Sequence, residues 1–159
     1  MEDISIELNH ITSKSDRIAP GDNFDGIYLG ESDSVVTNVN ELTTFVHELG
    51  HSIDCGLNYR YSSETTEFNS IFEEELAAYI AAGFTQHVSK AGYKRKDSTS
   101  NYATHNVHEM FAECYTLLML GDCQSKDVIL AHFPKCLKAA EELLKEIRKR
   151  SNEERHIPN

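Results

Sequence analysis

From about residue 38 the apolar positions fall into a helical period, with Leu42, Phe45, Val46, Leu49 and Ile53 forming one stripe. Asn38 with Glu41 reads as a capping box at its start and Gly56 as its stop. A second helical pattern runs from about Thr66 to Val88, with Phe68, Ile71, Phe72, Leu76, Tyr79, Ile80 and Phe84 facing inward and Gly83 as a weak point. After a polar stretch, Ser89 to His105, a third helix opens at Asn106, carries Met110, Phe111, Cys114, Leu117 and Leu118 on one side and stops at Gly121. A short segment, Lys126 to Phe133, leads to Pro134 at the start of a charged amphipathic last helix with Leu137, Ala140, Leu144 and Ile147 inward. Upstream the period is two: Ile4 to Leu8 alternates like a strand, and Gly26 to Gly30 with Val35 to Thr37 reads as a hairpin across Glu31 to Ser34. The pattern predicts an α+β fold, a small amino-terminal mixed sheet with a hairpin edge followed by a mainly helical part. Residues 1–150 form one domain in this reading, and 151–159 a polar, disordered tail.

Charge and length narrow the partners. The chain has 159 residues and a net charge of -11, with its one dense basic cluster at Lys145, Arg148, Lys149 and Arg150, so a surface that tracks nucleic-acid phosphates is not expected. No apolar run reaches the roughly 18 residues of a membrane span, and Met1 to Ser5 lacks the start of a secretory signal, which leaves compartment open. The four cysteines form no CxxC pair and read as free thiols, so a zinc ribbon is not on offer.

The chemistry concentrates in the first helix, at His47-Glu48-Leu49-Gly50-His51. Two histidines four residues apart lie one above the other on one face, roughly 6 Å apart along the axis, where two ring nitrogens can share one ion. That face is opposite the apolar stripe, so the helix presents core and ligands separately. Gly50 stands in the helix interior at a cost of about 1 kcal/mol relative to Ala, which close packing near the ligands would explain.

A catalytic zinc needs a third protein ligand and an open position. A third His six residues after the second is absent, since Leu57 stands there and Asp54 where a Gly would, which excludes the metzincin arrangement. Two sources remain: Glu74 or Glu75 on the second helix, or Glu109 on the third with Glu113 one turn later on the same face. Glu109 is the preferred choice, although Asn106-x-x-Glu109 also reads as a capping box. Asp54 opposes the helix dipole in the last turn and is expected to orient a neighbouring side chain, such as one behind the histidines.

His47 to Asp54 and Asn106 to Glu113, the latter reading Asn-Val-His-Glu-Met-Phe-Ala-Glu, together resemble the catalytic domains of the family that holds anthrax lethal factor and the bacterial Pro-Pro endopeptidases. The resemblance covers roughly residues 26 to 150 and implies a zincin-like fold. It implies Glu109 as third zinc ligand, Glu113 as an outer acid, and Tyr102, seven residues before Glu109, as a catalytic tyrosine. The gap from His51 to Glu109 is longer than is usual there, and nothing resembles a dedicated targeting domain.

The expected activity is that of a zinc-dependent endopeptidase of the gluzincin kind. His47, His51 and Glu109 hold one Zn2+ that lowers the pKa of water toward about 7, Glu48 is the general base and Tyr102 steadies the oxyanion. The substrate is a peptide or protein segment lying extended along the hairpin edge. The rival is a zinc-binding interaction protein that cleaves nothing, against which Glu48 argues: a structural site has no use for a base beside the metal.

Overall fold

A computed structural model of the chain describes residues 26–29, 34–37, 42–55, 60–88 and 100–154. The expected strand at Ile4 to Leu8, the capping box Asn38/Glu41 and the stop at Gly56 lie outside the described residues.

Strands β1 (Gly26–Leu29) and β2 (Ser34–Thr37) pair antiparallel, with Gly26 opposite Thr37 and Leu29 opposite Ser34, and both lie against the first helix. This hairpin does not make the fold α+β. Among the described residues there is no mixed sheet, and the body is helical: α1 (Leu42–Cys55), α2 (Ser62–Thr65), α3 (Glu67–Ala81), α4 (Val107–Leu120), α5 (Lys126–His132) and α6 (Pro134–Glu154). The expected α+β class is thereby corrected to an α-helical one. The physical reason is size: a ribbon of two four-residue strands has no face wide enough to serve as a layer, so helices must cover helices.

α4 is the central element. Met110 to Leu117 are all buried, with α1 packed on one side and α3 and α6 on the other. The buried apolar side chains of α1, α3, α4, α5 and α6 join in one cluster, in which Phe68 meets Phe111 edge to face at 5.6 Å between ring centres. The four cysteines are free and buried.

Helix ends follow local chemistry. Asn106 caps α4 by accepting the Glu109 N–H at 2.9 Å, and Gly121, with φ 70°, closes it through its N–H to the Leu117 carbonyl. α3 ends at Ala81, seven residues short of the expected Val88, and Ile80 and Phe84 are 47% and 45% exposed rather than inward. Gly83 adopts φ 94°, and the Phe84 N–H reaches the Tyr79 carbonyl while the Gly83 N–H reaches that of Ile80. That is a Schellman stop, so Gly83 ends the helix where an interior reading had let it pass. At the other end of the chain α6 runs on to Glu154, past the expected start of a tail at Ser151.

Candidate metal centre

The site forms where α1 crosses α4, and the crossing is close because of Gly50. A Cβ built there would lie 3.1 Å from the Ala112 Cα and 3.1 Å from the Tyr115 ring. Backbone meets backbone at that point, which accounts for a glycine that costs helix propensity. On α1 His47 stands one turn before Gly50 and His51 directly after it, and on α4 Glu109 stands one turn before Ala112 and Glu113 directly after it.

The expected side chains meet at this crossing. His47 Nε2 lies 3.0 Å from Glu109 Oε2 and 3.1 Å from His51 Nε2, and His51 Nε2 lies 3.3 Å from Glu109 Oε2. Glu113 stands behind, its Oε1 2.8 Å from His47 Nδ1. A proton on Nδ1 leaves the Nε2 lone pair of the neutral ring directed at the point that His51 and Glu109 also face. The other Glu113 oxygen accepts the Ser125 N–H at 2.7 Å, so this buried carboxylate is fixed at both ends.

As protein groups alone, these side chains form a charged cluster. Burial discourages the His47 imidazolium, but hydrogen bonds to Glu109 and Glu113 and their charges outweigh it and push its pKa up to about 10. Burial likewise works against the Glu109 carboxylate, yet His47 and His51 hold it well below the usual carboxylate range.

Among the described residues, His47, His51 and Glu109 are the group of side chains whose donor atoms converge as metal ligands do, all within 4.8 Å of one another. They fit zinc. A tetrahedral ion with donors at about 2.0–2.1 Å holds them about 3.3 Å apart, and the three separations here are 3.0, 3.1 and 3.3 Å. The donor set, two imidazoles and a carboxylate, is that of catalytic sites that keep a fourth position for water.

The other sequence candidates separate cleanly. Glu48, which follows His47 on α1, is buried. The Tyr102 ring, on a 3-10 turn spanning Tyr102–Thr104, lies 5.9 Å from the His47 ring. Glu75 is no ligand: its two oxygens accept the N–H groups of Lys135 and Cys136 at 3.0 and 2.9 Å and cap α6, while Glu74 pairs with the Lys135 Nζ. Nor does Asp54 stand behind the histidines. It is fully buried, accepts both the N–H and the Oγ–H of Ser63, and lies 3.6 Å from His108 Nδ1, so it ties the end of α1 to the starts of α2 and α4.

Several residues of this region carried no sequence signal. Ser63, in the first turn of α2, and Ser125, just ahead of α5, look like ordinary polar residues of short helices. The segment Thr85 to His87 binds the 3-10 turn by Gln86 Nε2 to the Thr104 carbonyl, the His87 N–H to Thr104 Oγ1, and Asn101 Nδ2 to the Thr85 carbonyl. His87 and His105 flank the Tyr102 ring, at 5.3 and 6.4 Å between ring centres. An Asn-x-x-Thr pair in a polar loop was the only available hint.

Comparison of the chain with protein-family models, with curated proteins and with solved structures finds no match. No helix among the described residues is long and apolar enough to cross a membrane.

Proposed function

We propose that this chain is a zinc-dependent endopeptidase of the gluzincin kind, similar to the family that holds anthrax lethal factor and the Pro-Pro endopeptidases. The observation that carries the reading is the convergence of His47 Nε2, His51 Nε2 and Glu109 Oε2 at tetrahedral spacing, with Glu113 fixing His47 from behind. His47, His51 and Glu109 would hold the ion. Zinc in such a site supplies Lewis acidity and brings water near neutral pKa.

The rest falls to the chain's own groups. Glu113 holds His47 with Nε2 facing the metal position. Glu48, adjacent to His47 in sequence and buried, takes the proton of the attacking water and returns it to the leaving amine. Tyr102, beside His47, donates its hydroxyl to the developing oxyanion. The peptide lies extended along the hairpin edge, which packs on α1, the helix that carries both histidines, and backbone pairing there serves many sequences. A net charge of -11 favours basic segments at low salt.

The test is a digest of a mixed-sequence peptide library, read by mass spectrometry with and without a chelator. Cleavage should require metal, and Glu48→Gln should retain zinc while losing at least about a hundredfold in rate. Glu109→Ala should lose zinc. A protein that binds zinc at His47, His51 and Glu109 and cleaves nothing would instead be a zinc-binding interaction protein.

A further inference from the structure

One buried serine touches both halves of the site through different atoms. Ser125 precedes α5, is 0% exposed, and gives its N–H to Glu113 Oε2 at 2.7 Å. Its Oγ accepts the Ala103 N–H at 2.9 Å, and Ala103 follows Tyr102 on the 3-10 turn. The backbone atom therefore supports the carboxylate behind His47, and the side-chain atom supports the turn that carries Tyr102. The same turn is also held at Thr104 by Gln86 and His87, so the two residues that follow Tyr102 are each tied by hydrogen bonds to other segments.

We propose that Ser125 is a positioning residue for Tyr102, its Oγ fixing the 3-10 turn at the distance from His47 that oxyanion support requires. The proposal rests on the endopeptidase reading for its catalytic consequence. It concerns one atom: Ser125→Ala deletes the acceptor for Ala103 while the backbone N–H that serves Glu113 stays. A residue of purely structural importance would disturb both partners together. A positioning role disturbs Tyr102 alone.

Two measurements on the full chain decide it. In hydrogen exchange read by mass spectrometry, Ser125→Ala should speed exchange in peptides covering residues 102–105 and leave those covering residues 47–51, and the affinity for zinc chloride, as in the original protein. Unchanged protection at 102–105 overturns the proposal, and so does a loss of zinc affinity equal to that of Glu113→Ala. On a peptide taken from the library digest, Ser125→Ala should lower kcat on the order of tenfold to a hundredfold, the scale of a group displaced by about 1 Å, with KM little changed. Placed in a Tyr102→Phe background the same change should cost nothing further, because the group it positions has gone. Losses that multiply independently overturn the catalytic half. If the original protein cleaves no peptide, the endopeptidase reading falls, and the exchange data still decide whether Ser125 holds the turn.

Discussion

Two buried glutamates do nearly the same work in different halves of the molecule. Glu75 on α3 and Glu113 on α4 each give an oxygen to a backbone N–H at the start of a later helix, Glu75 at α6 and Glu113 at α5. The difference is the second oxygen. That of Glu75 meets another backbone N–H, so both of its oxygens cap the start of α6. That of Glu113 meets His47 Nδ1, whose far nitrogen faces a second imidazole and a second carboxylate. Burial and charge are alike in the two cases, so neither marks function. What marks it is a partner with chemistry left over.

Exchanging each glutamate for alanine sharpens the contrast. Glu75→Ala should destabilise the fold by about 2–3 kcal/mol, since two N–H groups at the start of α6 lose their acceptor, with zinc affinity unchanged. Chemical denaturation and metal titration check the two halves of that statement. Glu113→Ala should weaken zinc binding about 10- to 100-fold, the usual cost of losing the partner behind a ligating histidine. If Glu75→Ala affected zinc as strongly, the division between a capping half and a metal-binding half would be broken.

Gly50→Ala tests what holds the metal-binding half together. The added methyl meets the Ala112 backbone and the Tyr115 ring at 3.1 Å. Helix propensity gains about 1 kcal/mol, overpacking costs about 1–3 kcal/mol, and the buried backbone of α4 has little room to give. The expected net is a loss of about 1 kcal/mol with weaker zinc binding, seen as a lower midpoint of thermal unfolding. A gain in stability would show that the crossing has slack.

The smallest effect is one of protons. In metal-free protein His47 titrates near 10, above its ordinary value of 6.5. Its pairing with Glu109 and Glu113 therefore contributes stability that is complete below 6.5 and is lost as pH rises through about 10. Zinc needs the neutral ring, so at pH 8 binding should release about one proton from His47, measurable by calorimetry in buffers of different ionisation heat. No proton release would mean that the ring is already neutral.

The histidine pair was legible because helical period alone sets its spacing, but the division into a core stripe and an opposite ligand face was not met: α1 buries His47, Gly50 and Asp54, while Leu42 is 62% exposed and Phe45, Leu49 and Ile53 are half-buried. Also legible was α4, bounded by Asn106 and Gly121, each with a local reason to end a helix. Glu109 could be narrowed but not fixed, because choosing between it and Glu75 depends on which helix crosses α1, a tertiary fact. The sheet was over-read: alternation over a few residues marks a strand but says nothing about how many strands gather beside it. Ser125 and Ser63 were invisible, since each acts through a contact that links distant segments and leaves no period behind.

Gly50 and Ala112 bring together donors that are 62 positions apart along the chain, as His47 and Glu109 are. An ion seated between them would rivet two stretches of polypeptide that meet only after collapse. Removing it should therefore loosen the seam between α1 and α4 first, while the helices gathered around Glu75 stay assembled, and limited proteolysis after chelation should nick the chain on the α1 side.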